Sequence, residues 1–130
     1  MPFDFRQLDI WNEGIKFCKA IYEIVKTFPQ FEEKNMVSQL RRASVSISTN
    51  VAEGCGKFAV RDEMSYYRIA QGSTKECMSL ILLSKELGYL DEETCKRLYE
   101  HGEYISKMLT MILRKKAEKY RNIRNGVFRK

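Results

Sequence analysis

Histidine, tryptophan and proline are nearly missing from this chain, with one His, one Trp and two Pro among 130 residues. The single histidine, His101, stands between Glu100 and Gly102 on a helical pattern. A zinc or iron site needs several ligands converging at short spacing, so His101 is expected to be solvated rather than ligating. Nor is there a second histidine near Ser44, Ser46 and Ser48 to serve as a base, which excludes a serine triad; these serines are expected to be small packing residues bonded back to the preceding turn. Four cysteines, Cys18, Cys55, Cys77 and Cys95, are dispersed with no CxxC pair, the pattern of reduced structural thiols. Gly54-Cys55-Gly56-Lys57 has the look of a phosphate loop, but Val51 stands five before Gly56 and Phe58 follows Lys57, so the first glycine and the magnesium-binding hydroxyl are missing. No apolar run approaches the about 20 residues of a membrane span, and MPFDFRQ has neither a basic leader nor an apolar core. A cytoplasmic protein without catalytic residue, cofactor or metal, and not an enzyme, is expected.

What is present is helical periodicity. From Gln39 to Gly56, QLRRASVSISTNVAEGCG holds only three charges, Arg41, Arg42 and Glu53, in a chain that is 31% charged. At 100° per residue Met36, Leu40, Ala43, Ile47 and Val51 fall on one stripe, with Val45 and Ala52 almost opposite. This predicts a central helix covered on more than one side, with a narrow polar wedge of Gln39, Arg42, Ser46, Asn50 and Glu53. Arg41 projects outside the wedge and is expected to meet a carboxylate or a second subunit. Asn50 and Glu53, three apart on one face, are expected to cross-link helices or subunits; the alternative is a polar ligand site on an assembled ring.

Before it, Trp11, Ile15, Cys18, Tyr22 and Val25 make one helical stripe and Ile10, Phe17, Ile21, Ile24 and Phe28 run beside it, an arc wide for one neighbour; Pro29 ends this helix and QFEEKN forms a loop. After Gly56 a helix starts between Ala59 and Asp62 and stops at Gly88, with Tyr66, Ile69, Ala70, Ser73, Cys77, Leu80, Ser84 and Leu87 as its core stripe and Gly72 and Ser73 admitting a close partner. On its far side Met64, Tyr67, Met78 and Leu82 form a second apolar patch, expected to be an oligomer interface. Asp91 caps the last helix, whose stripe of Leu98, Gly102, Ile105, Leu109 and Ile112 fades after Leu113. Four helices on short loops predict an all-α, antiparallel up-down-up-down bundle over residues 1–113.

Charge is unevenly placed. Residues 114–130 hold eight basic side chains against Glu118 alone, while the preceding part is almost balanced. This basic extension of the last helix, Arg114, Lys115, Lys116, Lys119, Arg121, Arg124, Arg129 and Lys130 with Tyr120 and Phe128 interleaved, is the candidate nucleic-acid-binding element: cations neutralise phosphates and rings stack on bases. With no base-specific motif, binding to RNA or DNA would run through the backbone. A solvated helix end and an anionic membrane surface fit the same charges.

FRQLDIW near the start, Phe28-Pro29, QLRRASVSISTNVAEG, IAQGS from Ile69 and GYL from Gly88 together resemble the four-helix-bundle family of proteins encoded in 23S rRNA intervening sequences, over about residues 3–113. The chain departs from the family pattern at Gln71, where arginine is usual, and at Ser48 and Thr49, where proline and alanine are common. The resemblance implies a compact bundle assembled as a ring-like homopentamer, with no established enzymatic activity. The architecture is also similar to the accessory protein of diversity-generating retroelements, which binds a reverse transcriptase and nucleic acid; this leaves a protein adaptor, with the basic tail incidental, as the alternative to a nucleic-acid-binding oligomer. Arg41, Arg42, Asn50 and Glu53 are the polar residues of the family motif, and the basic tail lies beyond the part the resemblance covers.

Overall fold

The computed structural model describes residues 4–126. It is all helical among the described residues, with α1 (Asp9–Ile24), α2 (Ser38–Cys55), α3 (Val60–Glu86) and α4 (Glu92–Arg124). Short 3₁₀ turns occupy Phe5–Gln7, Val25–Thr27 and Gln30–Glu32, and a π turn, Glu33–Val37, runs into α2.

The ends of these helices follow from local chemistry. Phe28, ahead of Pro29, is extended, as a residue before proline must be. Pro29 then also starts the next turn, so QFEEKN is not the loop the sequence suggested. Its Glu32 side chain accepts from the amide of Met36 at 3.3 Å, which holds the coil helical into α2. The carboxylate of Asp91 accepts from the amide of Thr94 at 2.7 Å; this bond holds its pKa below the ordinary value and favours α4. Gly88, at φ 83, closes α3: its amide donates to the carbonyl of Lys85 and that of Tyr89 to the carbonyl of Ser84, the two bonds of a Schellman end.

The core gathers Phe17 and Ile21 of α1, Leu40, Ile47 and Val51 of α2, Ala70, Cys77 and Ile81 of α3, and Leu98, Ile105 and Leu109 of α4, all buried. Each large apolar side chain so removed from water contributes about 1.5–3 kcal/mol. Burial disfavours the thiolate of Cys77 and pushes its pKa up to about 12, and no cysteine is in a disulfide. The expected core stripe of α2 is buried throughout. On α1, by contrast, Ile10, Phe17 and Ile21 point inward while Trp11, Ile15, Cys18 and Tyr22 form a half-exposed rim.

Helix α3 is turned relative to the sequence reading. Met64, Tyr67 and Met78, expected on an outer interface, are 5%, 4% and 5% exposed, whereas Leu82 is 45% exposed. Ile69 and Leu87, expected inside, are outside. The reason lies in the partners: a Cβ on Gly102 would fall 2.7 Å from Cγ of Met78, so the absence of that atom is what lets Met78 enter against α4. Similarly, a Cβ on Gly54 would fall 2.9 Å from Cε1 of Tyr67 and 3.1 Å from the carbonyl oxygen of Glu63. These two glycines, not Gly72, admit the close approach; beyond the position a Gly72 Cβ would occupy there is open space. The patch of Met64, Tyr67, Met78 and Leu82 is therefore corrected to interior for its first three members.

On α2 the polar wedge is also rotated. The hydroxyl of Ser73 donates to that of Ser46 at 2.8 Å, placing Ser46 on the α3 side rather than in solvent. The exposed face is Arg42, Val45, Thr49 and Glu53, so the Val45 side that was expected to be covered is open.

Candidate nucleic-acid interface

Helix α4 continues without a break past Leu113 to Arg124. Lys, Ala, Glu and Arg, all good helix formers, carry it on where the apolar stripe ends. Arg114, Lys115, Lys119, Arg121 and Arg124 are exposed along these last three turns, and Tyr120 is half-buried. Phe128, Arg129 and Lys130 lie outside the described residues.

Lys116 behaves differently. Its Nζ stands 3.1 Å from Oε2 of Glu63 on α3, with both side chains largely withdrawn from water. The hydroxyl of Tyr67 donates to the same carboxylate oxygen at 3.0 Å. Burial first, then the negative charge of Glu63, pushes the Tyr67 phenol far above its ordinary value, and the same two causes raise Cys55. Leu8, Ile10 and Ile112 complete a cavity of ≈ 220 Å³ around this group. The expectation that Lys116 reaches for phosphate is corrected: a carboxylate in a low-dielectric position attracts the nearest cation more strongly than a solvated phosphate would.

The pair sets the geometry of this end of the bundle. Glu63 is three residues past the start of α3, and two turns of α4 follow Lys116. Cys55, at the end of α2, lines the same cavity as Lys116, so the α2–α3 connection begins at this end of the bundle. That connection contributes Lys57, whose Nζ lies 5.2 Å from the centre of the Tyr66 ring and 3.8 Å from Glu53, and the fully exposed ring of Phe58; exposed Arg61 follows in the first turn of α3. None of these three was picked out as a binding residue from the sequence. The signal that marks them is an aromatic flanked by cations, KFAVR, which becomes legible only once Lys116 is known to pack at this end.

The polar residues of α2 do not converge on one site. Arg41 pairs with Glu33 of the π turn, the carboxylate partner expected for it, and Arg42 is exposed. Asn50 donates to the carbonyl of Ser46 at 2.8 Å and to its hydroxyl at 2.9 Å. It thus joins α2 to α3 only through Ser46 and Ser73, while Glu53 faces Lys57 and links no helices. His101 is not solvated alone: its Nε2 is 2.8 Å from Oε1 of Glu13, and its ring meets Phe17 edge-on at 5.3 Å, tying α4 to α1. Burial would raise the Glu13 carboxyl, but the bond from His101 and the charge of Lys16 outweigh it and hold the pKa below the ordinary value. Among the described residues no group of His, Cys, Asp and Glu is gathered to hold a metal, and no helix is long and apolar enough to cross a membrane.

Residues 6–111 match the sequence model of a family described as 23S rRNA-intervening sequence protein. No protein of curated function matches the chain. Among solved structures, the chain is similar to a protein of unknown function from the S23 ribosomal protein family of Bacteroides thetaiotaomicron VPI-5482. The TM-score is 0.73 at 20% identity, over 80% of this chain and 97% of that one. At that identity the likeness speaks for the fold alone.

Proposed function

The chain belongs to the 23S rRNA-intervening sequence protein family, and from the cationic end of its bundle we propose that it is a non-enzymatic nucleic-acid-binding protein of the cytoplasm, holding structured RNA or an RNA–protein complex through the phosphate backbone. The observation that carries this is the row of exposed cations on α4, Arg114, Lys115, Lys119, Arg121 and Arg124, at the end of the bundle that also carries Lys57 and Arg61. A helix presenting five exposed cations against Glu118 alone on three successive turns neutralises several phosphates at once.

Self-assembly is the second part of the proposal. Ile15, Cys18, Tyr22 and Val45, with the stems of Lys19 and Glu23, line an open apolar groove of ≈ 440 Å³ between α1 and α2. This surface, in place of the Met64 patch, is the proposed contact of a homo-oligomer, a pentamer as the family resemblance implies, built from antiparallel up-down-up-down bundles. A ring would present several cationic ends to one strand and multiply affinity. If instead the groove receives a different protein, such as a reverse transcriptase, the chain is an adaptor and its binding is insensitive to salt.

The test is a titration of a labelled RNA at several salt concentrations. The full chain is set beside a variant with Arg114, Lys115, Lys119, Arg121 and Arg124 changed to Gln and Lys116 kept. About four phosphate contacts on a single strand give a log–log salt slope near −2.8, a loss of roughly sevenfold per doubling of salt. The variant is expected to lose the slope and most of the affinity while staying folded. Light scattering on the same samples is expected to return a multiple of 15.3 kDa. Equal, salt-insensitive binding by both proteins would exclude the cationic end and favour the adaptor.

A further inference from the structure

We propose that Phe58 is a stacking platform for an unpaired base, so that the ligand segment at this end is single-stranded nucleic acid. The inference rests on the reading of the cationic end as a phosphate-binding surface and specifies what that surface takes.

Phe58 has a relative exposure of 108%, the value of a side chain that touches almost nothing of its own protein. A lone exposed apolar residue is ordinary on protein surfaces, so exposure alone decides nothing. Its surroundings decide it. Lys57 precedes the ring, Arg61 follows one turn later, and the cationic turns of α4 follow Lys116, which pairs with Glu63 at this end. Within the α2–α3 connection the ring has no large apolar neighbour for a protein partner to bury with it, the other residues being Gly56, Lys57 and Ala59, and on the last turns of α4 Ile123 is the exposed apolar side chain. A nucleic-acid strand needs a π face with cations in reach; Lys57 and Arg61 flank the ring, and exposed Glu53 and Asp62 offset part of their charge.

The platform is also held in place. The amide of Gly56 donates to the carbonyl of Glu53, and that of Lys57 to the carbonyl of Gly54 at 3.1 Å. Two residues past Phe58, α3 begins. The ring is therefore carried on a short bridge between two helices, which limits the ordering cost of binding. In a duplex the base faces are stacked on their neighbours and closed to an outside ring, whereas an unpaired base offers its face. The cations would hold the phosphates of either form, and only the single strand would use Phe58.

The experiment uses the full chain and fluorescence anisotropy, with a short labelled single-stranded oligonucleotide and a duplex of the same length as probes, for the natural protein, Phe58→Ala and Phe58→Trp. Phe58→Ala is expected to weaken single-strand binding roughly five- to 150-fold, the equivalent of about 1–3 kcal/mol per stacked base. Duplex binding and the salt slope are expected to stay as they were, since no charge is removed, and Phe58→Trp is expected to retain single-strand affinity. Unchanged single-strand binding by Phe58→Ala, or an equal loss on both probes, overturns the inference. So does a loss accompanied by a fall in oligomer mass, because Phe58 is then a contact between copies. If the natural protein binds neither probe in a salt-dependent way, it is the reading of the cationic end that fails, and this inference fails with it.

Discussion

At each end of α3 a carboxylate withdrawn from water is hydrogen-bonded to a tyrosine, and the two ends satisfy it by different means. At the α2–α3 end Glu63 accepts from Tyr67 and faces the ammonium of Lys116. At the other end Glu32, 8% exposed, accepts from the hydroxyl of Tyr89 at 2.7 Å, from the amide of Met36 and from the side chain of Asn35. One carboxylate is balanced by a full charge and the other by dipoles alone. Of the cations past Leu113, Lys116 serves the fold, while Arg114, Lys115, Lys119, Arg121 and Arg124 face outward. At the far end the nearest ion pair is Lys85 with Glu92, at 3.3 Å.

The largest test of this contrast is Lys116→Ala against Glu32→Gln. Removing the ammonium leaves Glu63 charged and poorly solvated, at an expected cost of about 1–3 kcal/mol, below the about 3–5 kcal/mol of a fully buried pair because both side chains keep some water. Glu32→Gln keeps one acceptor oxygen for the Met36 amide and turns an NH₂ donor toward the Tyr89 hydroxyl oxygen, so neutral bonds replace charge-assisted ones at about 1 kcal/mol. Urea unfolding measures both. A cost for Lys116→Ala no greater than that of Arg124→Ala would return Lys116 to the outward cations and erase the distinction between the ends.

A smaller effect separates the glycines. Gly54→Ala forces a methyl against Tyr67 and the Glu63 carbonyl, and overpacking of about 1–3 kcal/mol outweighs the about 1 kcal/mol gained in helix propensity. Gly88→Ala has room but must hold φ near 83, a strain of about 1 kcal/mol or a little more. Thermal melts of the two variants are expected to show a lower midpoint for both, with Gly54→Ala also loosening the Tyr67 environment in near-ultraviolet circular dichroism. An intact aromatic signal in Gly54→Ala would mean that α3 slides without disturbing the Glu63 group.

The smallest effect is at alkaline pH. Both phenols titrate above the ordinary 10, Tyr67 chiefly through burial and Tyr89 chiefly through its bond to Glu32. A pKa raised in the fold stabilises it fully below the unfolded value and is lost as pH rises through the folded one. Stability should therefore decline above pH 10, and Tyr67→Phe should flatten that decline more than Tyr89→Phe. A series of unfolding midpoints between about pH 9 and 11 measures it; an equal flattening by both variants would place the two tyrosines in like environments.

Much of the architecture was legible from spacing alone. The stripe of Leu40, Ala43, Ile47 and Val51, the Asp91 cap, the stop at Gly88 and the family motif are local patterns, and local patterns follow from 3.6 residues per turn and from the chemistry of helix ends. Arg41 was legible in part for the same reason, since a charge outside the polar wedge must meet a carboxylate or a second subunit, and it meets Glu33.

What only the tertiary structure decided is which of two apolar faces each helix turns inward, and with it the composition of the site. Helices α1 and α3 each carry apolar residues over so wide an arc that periodicity allows two orientations. The choice falls to the partners, Gly102 making room for Met78 and Gly54 for Tyr67, and these contacts join residues far apart in the chain. The same long-range packing takes Lys116 out of the proposed binding surface, to Glu63, and leaves the Phe58 ring open to water. Sequence by itself determined the helices and the sign of the charge they carry. Tertiary packing determined which charges and which ring remain facing water, because burial belongs to a pair of surfaces and cannot be written on either one alone.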